Sequence, residues 1–162
     1  MSEIPHSLAI LSAVFKEQGY EVKAVINSFK ERLDTLDYIA IAEGYKPDII
    51  GISMLTMQVL KTYEVMGKLK LLGYPIIAGG AHPTACAAEV ISHGADIAVR
   101  NEGEDTLRDI LQGKPLNQVE GITYRDKGGI VHNPPRPRIK DLSKLPMPDF
   151  SGFDVDLLSH LC

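Results

Sequence analysis

The chain has 162 residues, the size of one domain that buries roughly two thirds of its unfolded surface. It carries 17 Lys+Arg against 21 Asp+Glu, a formal charge of −4, and its 44% hydrophobic and 23% charged content excludes a disordered chain. The densest basic stretch, Arg136, Arg138 and Lys140 among prolines, falls short of the stripe that a nucleic-acid surface needs, so no nucleic-acid partner is expected.

Two cysteines, Cys86 and Cys162, cannot build a disulfide scaffold or a cysteine-only metal site, which points to a reducing, cytoplasmic setting. The longest run without Asp, Glu, Lys or Arg, Leu71 to Ala88, is broken by Gly73, Pro75, Gly79, Gly80 and Pro83. That pattern suits no lipid-spanning helix, and the N-terminus lacks the charged and apolar regions of a signal peptide. No membrane partner is expected.

Strand and helix signals then alternate. Ser7 to Gln18 places Leu8, Leu11 and Phe15 at helical spacing and stops at Gly19, and Glu21 to Ile26 alternates like a half-solvated strand. A helix from Leu33 to Glu43 ends at Gly44. Ile49-Ile-Gly-Ile-Ser-Met54 is then a near-continuous apolar run, typical of a strand covered on both faces. The periodicity predicts further helices over Gln58–Leu72, Pro83–His93 and Glu102–Gln112, with short strands at Pro75–Ala78 and Asp96–Val99. Repeated units of this kind predict a doubly wound α/β fold, Rossmann- or flavodoxin-like, with a mainly parallel sheet.

After Gly113 the pattern changes to a β-hairpin, Val119–Tyr124 and Ile130–His132 around a turn at Asp126-Lys-Gly-Gly129. From Asn133 the chain is proline-rich (Pro134, Pro135, Pro137, Pro146, Pro148), which favours an extended linker. The expected organisation is an α/β domain over 1–115, a hairpin extension over 116–133 and a linker over 134–162 that leads to a further domain. An open α/β sheet normally begins with a strand, yet only Met1 to His6 precede the first helix and Pro5 suits a central strand poorly. Either the first strand is missing from this chain or another segment supplies it, and the sheet edge that a missing strand leaves open would admit a second copy of the chain.

Ligands of open α/β sheets bind outside the carboxyl ends of the strands. Three loops there stand out. Ser53-Met-Leu-Thr-Met-Gln58 offers hydroxyls at Ser53 and Thr56 for a polar ligand edge, with Met54 and Met57 to adapt to an apolar face, or else a helix cap and core methionines. Ala78-Gly-Gly-Ala-His-Pro83 lets a backbone approach a ligand closely, or simply turns tightly before a helix. Arg100-Asn-Glu-Gly-Glu-Asp105 is acidic and reads equally as helix capping. Neither a phosphate loop nor a dinucleotide fingerprint occurs, and no grouping of His82, Cys86 and His93 makes a persuasive nucleophile or zinc centre.

In this order the loops resemble a known family. Asp48-Ile-Ile-Gly-Ile-Ser53 through Leu55 to Ile77-Ala-Gly-Gly80 is similar to the cobalamin-binding domain of methionine synthase, the methylmalonyl-CoA mutases and corrinoid methyl carriers. Gly51-Ile-Ser53, Gly79-Gly80 and Gly103-Glu-Asp-Thr106 more closely resemble the N-terminal vitamin B12-binding domain of cobalamin-dependent radical SAM enzymes. Gly121-Ile-Thr-Tyr-Arg-Asp126, Asn133-Pro-Pro135 and Asp141-Leu-Ser-Lys-Leu-Pro-Met-Pro-Asp149 resemble the hairpin and linker that lead there into a radical SAM barrel.

The resemblance implies a corrinoid ligand and assigns it residues. Ser53, Leu55 and Thr56 would line the pocket for the nucleotide tail, Gly79 and Gly80 would let that tail pass close to the backbone, and Ala81, His82, Asn101, Glu102 and Gly103 would border the tail or the corrin edge. No histidine here has an Asp two residues before it, so cobalamin is expected without a histidine lower ligand. A Cys-x-x-x-Cys-x-x-Cys motif is absent too, so the iron–sulfur cluster, its [4Fe–4S] metal binding and S-adenosyl-L-methionine would belong to a C-terminal radical SAM domain. On that reading the chain is not catalytic alone and is a piece of a methyltransferase or oxidoreductase. The other reading is a cofactor-free docking module of the same architecture.

Overall fold

The computed structural model describes residues 6–26 and 33–153. Its elements are α1 (His6–Glu17), α2 (Thr35–Tyr45), β1 (Ile50–Ser53), α3 (Val59–Leu71), β2 (Ile76–Gly79), α4 (Ala81–Ser92), β3 (Ile97–Val99), α5 (Glu104–Leu111), β4 (Ile122–Asp126) and β5 (Gly129–His132). They form one five-stranded sheet in the order β1-β2-β3-β4-β5. The first three strands run parallel, Ile50 beside Ile76 and Ile77 beside Ile97, and β4 and β5 continue the sheet antiparallel from the free side of β3. This is the α/β architecture that the apolar runs predicted.

The alternation along each strand sorts side chains onto two faces. Ile76, Ala78 and Ala98 face a core shared with Ala42 of α2, Val65, Met66 and Leu69 of α3, and Val90 and Ile91 of α4. Ile77, Ile97, Val99 and Ile122 face the other way, onto Val14 of α1 and Leu107 of α5. Helices therefore cover both faces, and β2 is buried on both sides because its sequence has no polar residue to expose. Local signals agree with the packing. Asp34 caps α2 through the N–H groups of Leu36 and Asp37, Asp37 returns the bond to the Asp34 N–H, and Lys46 closes the helix in the left-handed region.

The strand expected over Glu21–Ile26 does not form. Among the described residues it makes one bridge, Ala24 to Phe153, and no ladder. A strand exists only where its N–H and C=O groups find a neighbour. Here the edge strand β1 pairs with β2, and the segment is not its partner. Met1 to Pro5, where a first strand was in question, and residues 154–162 with Cys162 lie outside the described residues.

The proline-rich stretch is extended, and it lies back on the domain as a strap. Gly121 N–H donates to Pro134 O at 2.8 Å, Arg136 pairs with Asp109, Asp149 N–H donates to Ala9 O at 2.9 Å, and Ala24 N–H donates to Gly152 O at 2.7 Å. Phe150 meets His6 edge to face and lies beside Phe153. Lys16 bonds Ser151 and pairs with Asp149 at 2.8 Å. The Lys16 hydrogen bond, with the Ser151 N–H behind it, holds the Asp149 carboxyl down to about 2.

A depressed carboxyl contributes to the folded state above its ordinary value of 3.8 and loses that contribution as pH falls toward about 2. Lys16→Ala is expected to move the Asp149 midpoint back toward 3.8, read by carboxyl NMR titration. An unmoved midpoint would refute the assignment of the shift to Lys16.

Candidate functional site

The carboxyl ends of β1, β2 and β3 bring the three expected loops together, and backbone bonds stitch them. Met54 N–H donates to Gly79 O at 2.8 Å, and His82 N–H donates to Met54 O at 3.2 Å. Thr84 then links the second loop to the third. Its Oγ1 donates to Gly80 O at 2.8 Å and accepts from Asn101 N–H at 2.9 Å. Asn101 sits at φ 63°, a conformation its short polar side chain tolerates.

Ser53, Leu55, Thr56, Gly80, Ala81 and Asn101 are exposed around this junction, while Gly79, Glu102 and Gly103 are half-buried. Leu55, Met57 and Leu60 add an exposed apolar surface beside them. A cleft lined by residues including Thr84, Cys86, Glu89, Arg100 and His132 touches the junction at Thr84 but includes none of the ten expected site residues. The loops themselves offer an open surface.

Several details differ from expectation. Met54 is fully buried in the core and cannot adapt to a ligand, whereas Met57 is 87% exposed. Gly80 has a reason inside the protein: it stands at φ +105°, and a Cβ there would meet Met54 O at 2.9 Å and Met54 N at 3.1 Å. The close approach it permits is between its own loop and the loop after β1. Glu102 spends its carboxylate on Ile139 N–H at 2.6 Å, so it ties the third loop to the strap.

His82 is only 3% exposed, and its ring points inward. Nδ1 lies 3.3 Å from Thr56 Oγ1, and Nε2 lies 2.9 Å from the Tyr63 hydroxyl, which donates to Glu89 Oε1 at 3.0 Å. Burial, reinforced by the Glu89 carboxylate, pushes the Tyr63 phenol up, so it stays protonated. Tyr63 also stacks on His93 with ring centroids 3.9 Å apart.

Ligand atoms of His82, Cys86 and Glu89 lie within 4.8 Å of one another. That donor set would suit zinc, but the Tyr63 hydroxyl stands between the histidine and the carboxylate and uses them both. Neither Tyr63 nor Glu89 is singled out by the sequence, because no local motif joins residues on two helices.

The comparisons with known proteins bear on this geometry. Residues 2–111 match the B12 binding domain family. The chain belongs to that family.

An uncharacterised methyltransferase of Pyrococcus horikoshii, PH0819, is 28% identical over 160 residues, covering 94% of this chain and 34% of that protein. The chain therefore spans about a third of that relative's length. Among solved structures, the radical S-adenosylmethionine methyltransferase TsrM from Kitasatospora setae, with cobalamin and a [4Fe–4S] cluster bound, aligns with a TM-score of 0.69 at 19% identity. It covers 91% of this chain and 29% of TsrM. The cobalamin-dependent radical enzyme OxsB with aqua-cobalamin aligns with a TM-score of 0.72 at 24% identity, over 90% of this chain and 22% of OxsB. These likenesses show that the B12-binding domain shares the fold of a part of each enzyme. The family match favours the cofactor reading over the docking reading.

Proposed function

We propose that this B12-binding domain holds cobalamin over the carboxyl ends of β1, β2 and β3 and presents it to a radical SAM domain. The observation that carries the reading is the stitched junction of three loops, which sets exposed hydroxyl, amide and apolar groups side by side on a strand-end surface. That donor set fits the ligand. Corrinoids pair a broad apolar ring with neutral carboxamide arms, and Ser53, Thr56 and Asn101 can bond such arms while Leu55 and Met57 cover apolar surface. The start of α4 at Gly80 and Ala81 adds a helix N-terminus suited to the phosphate of a nucleotide tail. Gly79, Glu102 and Gly103 would border the ligand by their backbones, and His82 would act from beneath the loop.

Both ring nitrogens of His82 are engaged inside the protein, which supports cobalamin without a histidine lower ligand. When bound, the cofactor would supply a cobalt able to carry an alkyl group. The protein's own part is to bind and orient it. The iron–sulfur cluster and S-adenosylmethionine belong, on this reading, to a domain outside this chain, in keeping with the one third of PH0819 that the chain spans. A linker role for residues 134–162 belongs to the same proposal. No helix among the described residues is long and apolar enough to cross a membrane.

The 162-residue chain is expected to co-elute with hydroxocobalamin in size exclusion and to shift its visible spectrum. A folded sample that retains no corrinoid at near-millimolar concentration would overturn the proposal. The same column reads the oligomeric state, where a dimer would fit pairing through the β1 edge.

A further inference from the structure

With the imidazole neutral, the hydrogen bonds around His82 run in one direction. The Glu89 carboxylate has no proton to give, so the Tyr63 hydroxyl, 3.0 Å away, spends its single proton on it. The phenol oxygen then faces His82 Nε2 at 2.9 Å with lone pairs alone, and Nε2 must carry the hydrogen of the imidazole. Nδ1 is left with its lone pair, and the Thr56 hydroxyl, 3.3 Å away, donates to it. A hydroxyl has one proton. Thr56 Oγ1 is therefore left only lone pairs for anything outside, on an exposed residue of the loop after β1.

We infer that Tyr63 and Glu89 are positioning residues that hold His82 in its Nε2–H tautomer and commit Thr56 to accept, so that this loop selects a ligand group donating an N–H, such as a primary carboxamide. Three further observations keep the order from scrambling. His82 is buried, so water does not compete for its nitrogens. Tyr63 is clamped, stacked on His93 at 6° between planes and set edge-on to His82. The members also come from separate elements, Thr56 from the β1 loop, Tyr63 from α3 and His82 and Glu89 from α4, so the packing of α3 on α4 sets the chain's geometry. The ligand half of this inference rests on the cobalamin reading; the proton order does not.

Two measurements test it. In ligand-free, histidine-labelled chain at neutral pH, long-range proton–nitrogen NMR spectra, with His82→Gln to assign the signals, are expected to show the Nε2–H pattern for His82. Glu89→Gln introduces an amide that can donate to the phenol, and Tyr63→Phe removes the phenol; both are expected to shift His82 toward the Nδ1–H form. An Nδ1–H tautomer in the parent chain, or one unmoved in both variants, would overturn the proton order.

In hydroxocobalamin titrations, Glu89→Gln is expected to weaken retention about tenfold, the scale of one hydrogen bond. Thr56→Val is expected to do the same, and the double variant to be no weaker than Thr56→Val alone, since Glu89 acts through Thr56. Equal affinity in Glu89→Gln, or additive losses, would overturn the outward role. A parent chain that retains no cobalamin would instead overturn the reading under Proposed function, and the tautomer spectra would still decide the proton order.

Discussion

Gly80→Ala is expected to destabilise the domain by about 3 kcal/mol, with Gly80→Val worse, as read by urea or thermal unfolding. Two costs add. The backbone stands at φ +105°, which side chains rarely adopt, and the new Cβ would press on Met54 O at 2.9 Å and Met54 N at 3.1 Å. Neither obstacle is a flexible side chain, so relief means moving the Met54 backbone, which bonds Gly79 O and His82 N–H. Loss of corrinoid by a Gly80 variant would thus report a broken junction between loops, and the Thr56 variants are the cleaner probes of contact with a ligand. A Gly80→Ala protein with the parent's unfolding midpoint would refute this account.

Asn133→Leu is expected to cost about 2 kcal/mol, because it removes both Nδ2 hydrogen bonds and strands the Val119 carbonyl, while Leu116 O keeps the Val119 N–H. Asn133 is 7% exposed, and its Nδ2 donates to Leu116 O and to Val119 O, each at 2.6 Å. Its backbone N–H also donates to Ile122 O at 3.0 Å, and its carbonyl accepts from Arg100, which reaches Ile122 O as well. Asn133 thereby pins the segment after α5, the start of β4 and the start of the strap to one point. Leucine fills the space of the amide without restoring either donor. Asn117→Leu, at an exposed position, serves as the control and is expected to change stability by less than about 0.5 kcal/mol. Equal unfolding midpoints for the two variants would show that the carbonyls find other donors.

Much of the fold was legible because burial on both faces of a strand leaves little choice of residue. Ile49 to Ser53, Ile76 to Gly79 and Ile97 to Val99 have no charged residue among them, and each proved to be a parallel strand or its flank. Glycines that follow helices were informative at Gly19, Gly73, Gly94 and Gly113, which all take positive φ, whereas Gly44, expected to end a helix, lies inside α2 and Lys46 takes the left-handed position. The segment Glu21–Ile26 misled because its alternation is a local property, whereas a strand depends on what lies beside it. The loops could be picked out from their position after apolar runs, but inward and outward could not. Met54 and Met57 look alike in sequence, and a three-residue separation sends one into the core and the other to solvent. The partnership of Tyr63 with Glu89 was least legible, since 26 residues separate them and only the packing of α3 on α4 joins them.

The strap has a consequence for how the protein comes to be folded. Its bonds join Asp149 to Ala9, Ser151 to Lys16 and Gly152 to Ala24, the last residues of the described chain to some of its first. Closing such long loops costs entropy that only an existing surface repays, so these contacts belong to the final stage of folding. On a ribosome the strap residues that bond α1 emerge more than 130 residues after it. Until then the outer side of α1 and the Glu21–Ile26 segment must wait uncovered, and that interval is when the young chain is most open to pairing with the wrong neighbour.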